Sequence, residues 1–133
     1  MPHLVILYSD NLDAVTDMAA LCRSLADVML PIHAEDGRQV FPTGGVRVFA
    51  YPAKHFAIAD GKRDYAFAYL NLRMGRGRSA DVKQHVGRAL LEVARQHFAP
   101  LLAERHIGVT FQIDEGGEVF DGKLSTIHSL FKN

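Results

Sequence analysis

A chain of 133 residues with 48% hydrophobic content fits one domain, residues 1–133, that can bury a core without staples. Fifteen basic and fifteen acidic side chains cancel, which excludes a global field that would draw in nucleic acid or an anionic membrane, so any bound anion must be held locally. The lone cysteine, Cys22, excludes an internal disulfide and falls among the apolar positions of a helical pattern, as expected of a core residue in a reducing compartment.

The opening Met1-Pro2-His3-Leu4-Val5-Ile6-Leu7-Tyr8 has no positive leading segment, and its apolar run is too short to span a bilayer. A cytoplasmic protein that keeps its own N-terminus is the expectation. Leu4 to Tyr8 reads as a buried strand that starts almost at the terminus. Ser9-Asp10-Asn11 offers cap chemistry for a helix in which Val15, Met18, Leu21, Cys22, Leu25, Val28 and Met29 recur at helical spacing up to Pro31.

Turn formers dominate His33 to Gly45, and Val46 to Tyr51 then alternates as a half-buried strand, with Arg47 on the side opposite Val46 and Val48. Tyr65 to Leu72 reads as a third, central strand. Gly75-Arg76-Gly77-Arg78 follows, and Ser79 caps a second long helix that carries Val82, Val86, Ala89, Leu90, Val93 and Leu101, with a kink expected near Pro100 and an end near His106. Ile107 to Ile113 alternates as a fourth strand before an irregular, apolar tail.

This order predicts an α/β (α+β) fold: a tandem βαβ repeat whose four-stranded sheet carries two helices on one face. Strand residues on both sides are apolar, so the uncovered face calls for a partner subunit.

Three features can carry chemistry. A Pro2 freed of Met1 is a secondary amine whose position the following strand fixes; its pKa, about 8 unperturbed, falls beside arginines or in an apolar pocket, which suits a general base. Taken alone, a proline at position two carries little weight. Gly75-Arg76-Gly77-Arg78-Ser79 places exposed N–H groups and Arg78 at a helix N-terminus, which suits a carboxylate; a tight turn with solvated arginines explains it equally. Arg47, just after a turn, either reaches a cleft or is an ordinary surface arginine. The seven histidines lack ligand spacing, so no metal is expected, and there is neither a Walker loop nor a serine elbow. The aromatics offer no nucleic-acid stacking surface.

These pieces, met in order, resemble the 5-carboxymethyl-2-hydroxymuconate isomerases of the tautomerase superfamily. The resemblance spans nearly the whole chain: Pro2-His3 with Ser9-Asp10-Asn11, Gly45-Val46-Arg47, Ala59-Asp60-Gly61, Asp64-Tyr65-Ala66-Phe67, Gly75-Arg76-Gly77-Arg78-Ser79, His97-Phe98-Ala99 and His128-Ser129-Leu130-Phe131-Lys132. It implies a homotrimer of βαβ-repeat subunits with no cofactor and no metal. It also implies Pro2 as the catalytic proton-transfer base, and Arg47 and Arg78 as binders of a dicarboxylate substrate in homoprotocatechuate breakdown. Leu7 departs from the pattern, which has an acidic residue there, and makes a more apolar pocket wall the expectation. The segments His33 to Gln39 and Gly116-Gly117-Glu118 also differ, leaving the substrate less fixed than the reaction. Two other readings follow from the same residues: a superfamily enzyme acting on another enol or a haloacrylate, and a non-catalytic trimeric module that binds a small dicarboxylate.

Overall fold

A computed structural model of the chain describes residues 2–131. Strand β1 (His3–Ser9) leads into helix α1 (Met18–Met29), which returns to β2 (Val48–Ala53); β3 (Tyr65–Met74), α2 (Ala80–Glu104) and β4 (His106–Glu115) repeat the pattern. The sheet order is β2-β1-β3-β4. β1 runs parallel to β2 and β3 parallel to β4, while β1 and β3 meet antiparallel at the centre. This is the expected tandem βαβ repeat, with β3 central.

Alternation decides the two faces. Leu4, Ile6 and Tyr8 of β1 and Ala66, Ala68, Leu70 and Leu72 of β3 are buried, in one core with Leu21 and Leu25 of α1 and Val86, Leu90 and Phe98 of α2. Both helices therefore cover the same face. On the other, Leu7, Phe49, Tyr51 and Phe67 are each about half exposed, in neighbouring ladder positions: Leu7 pairs with Tyr51 and with Tyr69. Gly108 lies beside Phe67 in the ladder, and a Cβ there would strike the Phe67 ring. The tail adds Val119, Phe120, Leu124 and Leu130 to the exposed apolar surface.

Three local expectations shift. Ser9 does not cap α1: its hydroxyl instead accepts from the backbone N–H of Phe67 at 3.0 Å, a short 3-10 turn follows at Asp10–Leu12, and Asp17 caps the helix by accepting from Ala20 N at 3.1 Å. β2 starts after the expected point because Thr43–Gly45 is itself a 3-10 turn. Helix α2 passes Pro100 unbroken; the rung that Pro100 cannot donate falls beside exposed Gln96, while buried Phe98 and Leu101 keep the helix seated. Ser79 does cap it, accepting from Val82 N at 3.1 Å.

Among the described residues, no helix is long and apolar enough to cross a membrane.

Candidate active site

Where β1, β2 and β3 come together near the chain's start, a cavity of about 1680 Å3 opens between the sheet and the tail. Its wall includes His3, Arg47, Asn71 and Arg73, and Glu118 and Asp121 enter it from the tail. His3 stands opposite Arg73 in the antiparallel ladder. Arg47 lies just ahead of β2, where its carbonyl accepts from Leu4 N at 3.3 Å, so the ladder itself brings it alongside His3.

The Arg47 guanidinium donates from Nη1 to the Gly45 carbonyl at 3.0 Å and from Nε to Nδ1 of His3 at 3.2 Å. Nη2 stands against both ring nitrogens, 2.9 Å from Nδ1 and 2.5 Å from Nε2; since arginine only donates, the nitrogen it bonds must offer a lone pair, which only the neutral ring has. Burial, then Arg47 and next Arg73 among the protein's side-chain charges, hold the His3 pKa below 6.5. Arg73 faces Glu118, with 3.4 Å between Nη2 and Oε1. Asn71 donates to Asp114 at 2.9 Å.

Of the residues singled out from sequence, Arg47 is in the cavity wall. Pro2 is buried immediately beside wall residue His3 and is not itself part of the lining. Arg78 is also absent from the lining. It is half-buried, donating from Nη1 to Gly75 O at 3.0 Å and from Nη2 to Val40 O at 2.8 Å, with its guanidinium over the Phe41 ring. Gly75 does line the cavity, so Arg78 sits one residue behind the wall. Leu7 joins the open sheet face and not the cavity wall, so the apolar wall expected from it is not found there. Met1 and Lys132 lie outside the described residues.

Sequence reasoning passed over Arg73 and took Glu118 for a solvated turn residue. The signal for Arg73 was present: the alternation of β3 continues two residues past Leu72, and its odd positions share the open face. Glu118 left none, because a turn glutamate is usually solvated. Among the described residues, no group of three or more His, Cys, Asp or Glu side chains is placed to hold a metal ion. The arrangement offers guanidinium donors and a neutral imidazole beside the chain's start, a set suited to carboxylates and to a developing enolate.

The family described as 5-carboxymethyl-2-hydroxymuconate isomerase matches residues 2–131. The chain is 33% identical to the 5-carboxymethyl-2-hydroxymuconate Delta-isomerase of Escherichia coli, with 99% of this chain and 100% of that protein covered. A crystal structure of a 5-carboxymethyl-2-hydroxymuconate delta-isomerase superposes with a TM-score of 0.95 at 57% identity, over 100% of this chain and 94% of that one. A 5-carboxymethyl-2-hydroxymuconate isomerase from Deinococcus radiodurans R1 superposes with a TM-score of 0.87 at 35% identity, over 99% and 95% of the two chains.

Proposed function

We infer that this chain, which belongs to the 5-carboxymethyl-2-hydroxymuconate isomerase family, is an isomerase that shifts a proton along a conjugated hydroxy polycarboxylic acid, with Pro2 as its base. The observation that carries this reading is the placement of Arg47 against His3, the residue that follows Pro2, in the wall of the cavity.

With Met1 removed, the Pro2 nitrogen is a secondary amine. It takes the proton of the substrate's 2-hydroxyl as the oxygen becomes a carbonyl, and the electrons move along the diene. The same nitrogen then delivers that proton to the distant carbon, so proton and charge balance and the base is regenerated. An amine in apolar surroundings beside guanidinium groups is less basic than usual, which leaves it neutral and ready near pH 7. With Met1 attached, the nitrogen is an amide and the reaction stops.

Arg47 and Arg78 bind the substrate carboxylates and stabilise the dienolate charge. Support for Arg78 is its fixed position behind Gly75: two carbonyls hold it, and the other guanidinium N–H groups are left for an anion. No cofactor takes part. The chain works as a homotrimer in the cytoplasm, and the exposed apolar residues of the open sheet face and tail are what the other two copies cover.

The reading is tested by following 5-carboxymethyl-2-hydroxymuconate by ultraviolet absorbance beside a phenylpyruvate enol and a haloacrylate. Conversion of the first, well above the others, is expected. Preference for either of the others would move the assignment to a different substrate.

A further inference from the structure

The cavity holds a second arginine that the reaction scheme above does not use. Arg73 projects from β3 on the same face as Asn71, opposite His3, and lines the cavity with Arg47. Its counterion is Glu118, brought back over the sheet by the turn at Gly116-Gly117. The Glu118 carboxylate folds back against Gly116, whose N–H is anchored to the Met74 carbonyl at 2.8 Å.

The pair itself is weak. Nitrogen and oxygen stand 3.4 Å apart, and the side chains are 52% and 45% exposed. An ion pair that open to water contributes little. A carboxylate arriving from the cavity can replace Glu118 at little cost, and one that meets the guanidinium in two parallel N–H···O bonds is held better than the single long Glu118 contact.

We propose that Arg73 is a specificity-determining residue that grips one carboxylate of a polycarboxylate in the cavity, with Glu118 as the stand-in anion that the ligand displaces. The proposal rests on the reading of the ligand as a polycarboxylate, and it gives Glu118 a competing role rather than a supporting one. Arg73 then selects diacids over monoacids, because a monoacid is held by Arg47 and Arg78 together and leaves the Arg73–Glu118 pair in place.

The test is calorimetric binding of trans,trans-muconate, a dicarboxylate, and sorbate, its monocarboxylate counterpart, to the full-length protein and to Arg73→Gln, Arg73→Lys and Glu118→Gln. Both positions are exposed, so the variants are expected to fold, and matched thermal melts establish that they do. Arg73→Gln should weaken muconate about fivefold while leaving sorbate nearly unchanged. Arg73→Lys should restore part of that loss, and Glu118→Gln should tighten muconate. Equal loss for both acids in Arg73→Gln, weaker muconate binding in Glu118→Gln, or no preference for muconate in the unaltered protein would overturn it. Because the readout is binding, it separates from the proton-transfer reading: a protein that prefers muconate through Arg73 yet converts no enol would leave this inference standing and remove the other.

Discussion

Arg47 donates from Nε to Nδ1 of His3 at 3.2 Å, and its Nη2 stands 2.9 Å from Nδ1 and 2.5 Å from Nε2. A protonated imidazole would face that cation with no lone pair to offer, so the contact opposes protonation beyond what burial does. Replacing Arg47 by Ala should move the His3 pKa up toward 6.5, read from imidazole proton shifts in an NMR titration. No movement would mean that the contact is not made in solution. The same shift links to stability. With the folded pKa below the unfolded one, the contribution is present above pH 6.5 and is lost as pH falls through the folded value. His97, whose pKa is lowered by burial and which bonds Thr16 at 2.8 Å, acts in the same direction. Unfolding by denaturant should therefore become easier as pH falls below 6.5.

Arg78 joins two separate segments by bonding the carbonyls of Gly75 and Val40. Arg78→Ala should cost about 1–3 kcal/mol in denaturant unfolding, because both half-buried carbonyls lose a charged donor. Activity should fall further than stability explains. Arg78→Lys should recover charge but not the two-pronged geometry, so its KM should stay raised while its melting temperature partly returns.

Gly44 is tied to the tail by space alone. A Cβ there would come 2.6 Å from His128 Cα and 3.1 Å from its backbone N, and backbone cannot swing aside as a side-chain tip can. Gly44→Ala should displace the 3-10 turn His128–Phe131, with faster amide exchange across that turn and a loss of about 1–3 kcal/mol. Unchanged exchange there would show that the tail does not pack on Gly44.

The open sheet face gives a prediction about assembly. Leu7 and Phe49 are about half exposed there and lie outside the core beneath the helices. Changing both to Lys should leave the helical circular dichroism intact yet shift sedimentation from trimer to monomer, since an exposed apolar face is what association removes from water. A trimer that survives the double change would place its interface elsewhere.

The sheet, its helices and the Ser79 cap were legible in the sequence because each rests on short-range periodicity or on a side chain acting three residues away. The start of α1 was not. Ser9 has good cap chemistry, but its hydroxyl is drawn to Phe67, 58 residues distant, and pairing of β1 with β3 decides that competition. Arg47 was legible as a candidate just after a turn, though the 3-10 form of that turn at Thr43–Gly45 and the later start of β2 were not. Arg73 and Glu118 come together across 45 positions, through a glycine turn whose direction no local rule supplies. Arg78 stood out for its place at a helix start, but its bond to Val40, 38 positions away, has no local signal.

The decisive measurement is the rate of 5-carboxymethyl-2-hydroxymuconate isomerisation, by ultraviolet absorbance, for protein whose mass shows Met1 absent, beside Pro2→Ala prepared in the same way. Proline acting as the base predicts turnover in the first and a fall in kcat of about 10²–10⁴ in the second, with the melting temperature little changed. Equal rates in the two proteins would contradict it.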